Sequence, residues 1–318
     1  MDTSITTDLE LCRTLLKEGE VVAIPTETVY GLAANIFDSQ AVEKIFSVKK
    51  RPRFNPLIVH IKDLGSLKSV VEKVPEKALL LAKEFWPGPL TLILPKKDGI
   101  SDIITAGKPT VGVRIPNHKT TLELLKGLSF PVAAPSANPF TRISPTSAIQ
   151  VFDYFGKSVT VLDGGQCEIG LESTIVGFED DEPVVYRKGG IPLESIEAIV
   201  GPVKINSKSE SEPVAPGMLL KHYSPRTRLL LTEDFDAILP DFKGSKVGVL
   251  SFSRTEFENV SYVKTLSLAR DLQEAAKNLF QSLYELDRLN LDVIIAEIFP
   301  KTGLGLTIND RLERARAT

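Results

Sequence analysis

The chain has 318 residues, a formal net charge of -3 from Lys+Arg 38 against Asp+Glu 41, and 42% hydrophobic and 25% charged residues. That length favours two domains, and such ordinary globular usage excludes long disorder and fibrous folds. The charge excludes a surface coated in basic residues for nucleic acid while leaving room for a local basic site, and no apolar run reaches the roughly 18–20 residues that span a bilayer.

The N-terminus carries Asp2, Asp8 and Glu10 where a secretory leader carries Lys or Arg, so a cytoplasmic location is expected. Cys12 and Cys167 are too few for a disulfide framework, and His60, His118 and His222 lie too far apart in sequence to suggest a His-based metal site.

In chain order, Leu9, Leu11, Leu15 and Leu16 fit a short amphipathic helix stopped by Gly19. Val21–Ile24 reads as a buried strand ending at Pro25. Ser39 is placed to cap a helix through Ala41, Ile45 and Phe46. Leu57–Ile61 is the next strand, and Pro75 to Trp86 a helix stopped by Pro87. Leu90–Leu94, Val111–Ile115 and Val132–Ala134 follow as strands, with a helix through Leu122, Leu124 and Leu125 between the last two. Val159–Leu162, Ser173–Val176 and Val184–Tyr186 make a strand-rich end. Pro192 then opens a helix through Ile196 and Ile199, closed by Gly201.

Residues 1–205 therefore read as one mixed α/β domain. Residues 206–225 begin with linker composition, NSKSESEP, and go on to Met218, Leu219, Leu220, His222 and Tyr223, which suggest either a segment that lies down on something or residues that pack where the second domain starts. Residues 226–318 read as a small parallel, Rossmann-like α/β domain. Its strands are Arg228–Leu231, Lys246–Phe252 and Val293–Ile298. A helix from Ala269 to Leu289 carries Leu272, Ala276, Leu279, Leu283 and Leu286 on one face, and a last helix runs through Ile308 and Leu312.

Four segments put polar residues just beyond strand ends, where open α/β sheets bind ligands. Pro25–Gly31 (PTETVYG) offers hydroxyls and a carboxylate. Lys49, Lys50, Arg51 and Arg53 form a stiffened basic loop that reads as an anion site, with polyphosphate or an RNA backbone as candidates. Ala134–Asn138 (APSAN) suits close approach of backbone N–H groups to an anion, with a helix start at Ser144-Pro145-Thr146 beyond it. Glu172-Ser173-Thr174 is followed downstream by Arg187, and His60 and Arg114 lie at or near strand ends, from which either could face the same cleft. With no nucleophile elbow and no Cys–His pair, nucleotide chemistry by positioning and electrostatics is the better reading.

These segments also carry a resemblance. PTETVYGL (25–32), the KxR of Lys49 and Arg51 running into NPLIVHI (55–61), WPGPLTLIL (86–94) and VGVRIP (111–116) resemble the two-domain threonylcarbamoyl-AMP synthases of the YrdC-like family. So do APSAN (134–138), SPT (144–146), DGG (163–165), ESTIV (172–176), APGMLLKHYSP (215–225) and GLGLTINDRL (303–312). The resemblance implies a YrdC-like domain with a basic cleft, and a reaction in which L-threonine, bicarbonate and ATP give threonylcarbamoyl-AMP and pyrophosphate for threonylcarbamoyladenosine modification of tRNA.

It further implies that Thr28, His60, Arg114, Ala134 and Ser173 hold threonine. Arg51, Asn55, Thr110, Ser136, Asn138, Ser144 and Arg187 would surround ATP. Tyr223 would reach the nucleotide from the linker, which looks like a lid, and Lys49 and Arg51 would stabilise charge at the reacting phosphate. Mg2+ is implied with ATP, held mainly through phosphates, and tRNA or tRNA-modification proteins are implied partners.

Two departures stand out. Phe140-Thr141 replaces a usual Ser-Gly pair, putting that loop's conformation and the role of Ser144 in question, and Ala33 replaces a common Gly. The alternative reading is a non-catalytic RNA-binding module using Lys49, Lys50, Arg51 and Arg53. A carbamoyltransferase resembling hydrogenase-maturation enzymes would need zinc-finger cysteines that the chain lacks.

Overall fold

A computed structural model describes residues 4–206 and 214–317. The Ser/Glu/Pro-rich half of the expected linker, 207–213, lies outside the described residues. The first two hundred residues build an eleven-stranded mixed sheet. Its central strands run in the order Gly31–Asn35, Val132–Ala133, Ile58–His60, Thr110–Arg114, Leu90–Pro95, Thr174–Glu179 and Glu182–Arg187. Four short strands extend its two edges: Ile5–Thr6, Thr160–Leu162 and Val22–Ile24 at one, and Lys204–Ile205 at the other. The second sheet has four strands, Arg228–Thr232, Val293–Glu297, Val247–Ser251 and Tyr262–Thr265 in that order, all parallel.

Most elements fall where periodicity put them, and the differences have local causes. Asp38, not Ser39, caps the helix Ser39–Lys49, its carboxylate accepting from the amides of Gln40 and Ala41. Asp271 does the same for Leu272–Asp287, so that helix starts three residues later than expected. Gly31–Asn35 (GLAAN) is a strand that sequence reasoning missed, because glycine, alanine and asparagine carry no β signal; its partners on both sides make it one. Tyr262–Thr265 was missed likewise. The helix expected at Ser144-Pro145-Thr146 begins instead at Ala148, so Ser144 is not at a helix mouth.

The two sheets have separate apolar cores, one holding Leu32, Val59, Leu92 and Val113, the other Leu279, Leu283, Ile294 and Ile308. Each such fully buried side chain stabilises by about 1.5–3 kcal/mol. The helical stripe on 272–287 is core, as its spacing indicated. Between the domains, Gln150 donates to Gln281 at 2.5 Å, Arg288 pairs with Asp153 at 2.9 Å, and Thr307 Oγ1 donates to the Gly189 carbonyl at 3.1 Å. Among the described residues, no helix is long and apolar enough to cross a membrane.

Candidate active site

The cleft forms where the ends of several strands of the first sheet meet the segment 214–225. Thr26 Oγ1 accepts from the amides of Thr28 and Val29, both at 3.2 Å, which folds PTETV into a tight hydroxyl-closed turn. That turn presents Thr28 Oγ1 2.7 Å from Thr26 Oγ1. Arg114, at the end of Thr110–Arg114, donates from Nη1 to Thr28 Oγ1 at 3.1 Å and pairs through Nη2 with Glu27 Oε1 at 2.6 Å. Its Nε and Glu27 Oε2 are buried without a partner. His60 follows on the neighbouring strand, in register with Arg114, and burial together with the Arg114 charge holds its pKa well below the usual value.

Opposite lies the loop 134–138. Gly31 lets it approach: a Cβ there would stand 3.1 Å from Ala134 Cβ, and Leu32 N donates to Pro135 O at 2.7 Å. Ala134 lines the cleft, but its amide already donates to Ile58 O at 3.0 Å. Lys49, the last residue of its helix, is carried inward while Lys50 turns the chain through φ +52. The Lys49 ammonium, expected at the reacting phosphate, sits on the carbonyls of Ser136 and Asn138, and burial with Arg51 nearby lowers its pKa.

Arg51 lines the cleft and donates to the carbonyls of Asn55 and Pro56 at 3.2 and 2.8 Å. Of the four cations read as one basic loop, Lys50 and Arg53 are exposed, and Arg53 pairs with Glu43 at 3.0 Å. Only Lys49 and Arg51 belong to the interior.

Arg187, from the strand Glu182–Arg187, donates to Ser173 O, Ser173 Oγ and Pro216 O at 2.9–3.2 Å. Ser173 Oγ also lies 2.7 Å from Thr91 Oγ1. Asn55, Asn138 and Ser144 stand one layer behind the lining. Both amide atoms of Asn55 and Asn138 Oδ1 are buried without partners, and Ser144 Oγ donates to Glu172 Oε1 at 2.7 Å. Thr110 is not brought to the cleft. It sits at the far end of the strand from Arg114, roughly 13 Å along it, in a separate depression with Ile93, Phe178, Tyr186 and Val214.

The segment 214–225 covers the opening. Ala215 and Met218 pack with Ile58, Ile175 and Tyr186; Tyr223 is fully buried, its ring 4.1 Å from that of His222 and 5.4 Å from Phe280. Thr141 adopts φ +69, the left-handed conformation a glycine takes easily, so the Phe140-Thr141 departure leaves that turn in place. The Thr141 carbonyl accepts from Ser224 N at 2.7 Å, and the Phe140 ring meets His222 edge-on at 6.2 Å. Ala33 is absorbed in the core.

Residues 14–189 match the Sua5_yciO_yrdC family, described as telomere recombination, and 191–317 match the threonylcarbamoyl-AMP synthase C-terminal domain. The chain belongs to the Sua5/YrdC family. Among its Sua5/YrdC relatives, the threonylcarbamoyl-AMP synthase of Pyrococcus abyssi is 42% identical, over 94% of this chain and 91% of that protein. That of Bacillus subtilis is 44% identical over 95% and 90%. The crystal structure of P. abyssi Sua5 complexed with L-threonine superimposes with a TM-score of 0.90 at 40% identity, covering 97% of this chain and 94% of that one. E. coli YciO covers 57% of this chain and 88% of its own, with a TM-score of 0.52 at 26% identity.

The sequence offers the Glu27 carboxylate as a group to orient a polar substrate and Glu172 as a polar neighbour, and it gives Arg311 no role. The structure makes Glu27 the partner of Arg114, and Glu172 the partner of Ser144 and of Arg311 Nε at 2.9 Å. Those pairings have no local signal.

Proposed function

We propose that this chain is an L-threonylcarbamoyladenylate synthase. L-Threonine, bicarbonate and ATP give threonylcarbamoyl-AMP, pyrophosphate and water, and the product serves threonylcarbamoyladenosine modification of tRNA in the cytoplasm. The threonine amine attacks bicarbonate carbon, water leaves, and a carbamate forms. A carbamate oxygen then attacks the α-phosphorus of ATP, the bond to the bridging oxygen breaks, and pyrophosphate departs.

The observation that carries this reading is the set of buried polar groups left unpaired around one cleft. Arg114 Nε, Asn138 Oδ1, both Asn55 amide atoms, His222 Nδ1 and Tyr223 OH have no partner. Buried polar groups are ordinarily paired, so a polar ligand is the natural complement. Arg114 has a free donor for the threonine carboxylate, beside Thr28, His60 and Ser173. Arg51 and Arg187 have only neutral oxygen partners here, which leaves their charge for phosphates. Lys49 serves by holding the 134–138 loop at its place.

Magnesium, with ATP, supplies charge neutralisation on the phosphate oxygens. The donor set fits that division, because both Glu172 oxygens are taken by Ser144 and Arg311, while Glu27, which gives one oxygen to Arg114 and keeps Oε2 unpaired, is not among the residues lining the cleft. The cavity beneath 214–225 is about 50 Å³, well below the roughly 300–1,000 Å³ of ligand sites. The segment therefore opens to admit ATP and closes to keep water from the carbamate.

The test is pyrophosphate release from ATP by the purified chain, with threonine and bicarbonate omitted singly and serine offered in place of threonine. Release that needs both co-substrates is expected. Folded protein that releases none, yet binds tRNA in a salt-dependent manner, would leave the RNA-binding alternative instead.

A further inference from the structure

The last helix of the C-terminal domain, Leu304–Arg316, reaches into the first domain through one side chain. Arg311 is completely buried. Its Nε donates to Glu172 Oε2 at 2.9 Å, its Nη2 to the Lys188 carbonyl at 2.7 Å, and its Nη1 pairs with Asp310 at 2.7 Å. Its guanidinium carbon lies 4.9 Å from the centroid of the Tyr223 ring. Apart from Asp310, each contact falls on a group that lines the cleft or adjoins one that does. Glu172 lines it, accepts the Ser144 hydroxyl and precedes Ser173; Lys188 follows Arg187. Arg314, one turn on, donates to the carbonyls of Met218 and Leu219 at 3.0 and 2.6 Å and is tied to Asp310 at 3.0 Å.

We propose that Arg311 is a positioning residue for adenylation, by which the C-terminal domain sets Ser144, Arg187 and the lid tyrosine around the nucleotide. This deepens the synthase reading and rests on it. A guanidinium is suited to the task because its planar fork holds three partners in fixed directions while its face supports an aromatic ring. Lysine keeps the charge and loses both the fork and the face. Thr28, His60 and Arg114 belong to strands and turns that Arg311 does not touch, so the threonine end of the cleft is independent of it except at Ser173, which follows Glu172 and accepts from Arg187. The side chain also lies across the covering segment, so it orders the nucleotide end only when that segment is closed.

The experiment uses full-length Arg311→Lys and Asp310→Asn, the latter outside the cleft lining and acting only by orienting the two arginines. Circular dichroism establishes folding, KM for ATP and for threonine comes from pyrophosphate release, and calorimetry gives the Kd of threonine alone and of a non-hydrolysable ATP analogue. For Arg311→Lys, the ATP KM and analogue Kd are expected to rise about tenfold or more, with the threonine Kd within about twofold of the unsubstituted value. Asp310→Asn should shift the same two nucleotide constants in the same direction, by less.

Unchanged nucleotide constants in folded Arg311→Lys, or threonine and nucleotide affinities falling together, would overturn the positioning role. Should Arg311→Lys not fold, the nucleotide constants of Asp310→Asn decide alone, and no change in them overturns it. The analogue Kd also reads if the unsubstituted protein releases no pyrophosphate, so failure of the synthase reading stays distinct from failure of this one.

Discussion

Two buried histidines tie this site to pH. His60 is held below its ordinary pKa by burial first and the Arg114 charge second; His222 by burial, then by Arg51, Lys49, Arg311 and Arg187. A histidine kept neutral in the fold still takes up a proton when unfolded, so below pH about 6.5 the unfolded chain binds more protons and stability falls as pH falls. With both folded values well below the ordinary one, each histidine should remove stability as the pH falls from 7.5 to 5.5. Thermal melts at the two pH values are the measurement. His222→Gln and His60→Gln should each flatten the loss; an undiminished loss in both would mean that other groups carry it. The histidine at 60 is visible in the sequence as a strand-end residue, but its suppressed basicity comes from burial and then from Arg114 beside it, which only the packed fold and the parallel pairing of the two strands provide.

At the scale of elements, the covering segment turns at Gly217, with φ +84. A Cβ there would stand 2.8 Å from Arg187 Cδ and 2.9 Å from Tyr223 OH. Gly217→Ala should therefore keep the segment from closing fully, at a cost of about 1–3 kcal/mol to the closed form. Steady-state kinetics should show a raised KM for ATP with the far-ultraviolet spectrum unchanged. Kinetics identical to those of the unsubstituted chain would mean that closure against Arg187 plays no part in ATP use. The apolar character of this segment was legible, since Met218, His222 and Tyr223 are odd residues for a linker. Where it lies was not, because its anchors come from the strand Glu182–Arg187 and from helices far along the chain.

At the scale of the molecule, the two domains fit through close backbone contact as well as through side chains. Gly170 has φ +71, and a Cβ on it would meet Lys277 backbone atoms at 2.4–2.8 Å, in the middle of the helix Leu272–Asp287. Gly170→Ala should push the domains apart there and destabilise their docking by about 1–3 kcal/mol. Small-angle scattering should report a larger radius of gyration, and limited proteolysis faster cutting between the domains. An unaltered profile in both would show that the interface yields without separating.

The sequence by itself determined the strand and helix periodicities, the two-sheet organisation and the motifs by which the chain resembles its family, because these are written in local residue order. The residues expected on the threonine side, Thr28, His60, Arg114, Ala134 and Ser173, all line one cleft, as do Arg51, Ser136, Arg187 and Tyr223. Tertiary structure decided what those residues touch. Glu27 and Arg114 are 87 positions apart, Lys49 and Ser136 likewise 87, and Glu172 and Arg311 139. It placed Thr110 at the opposite end of its strand and turned Lys50 and Arg53 to solvent. Buried charges take partners from wherever the chain brings them, since an unpaired one is costly in a medium that water cannot reach. Such pairings leave no trace in local periodicity, and they come into being only when the sheets and the last helix pack together.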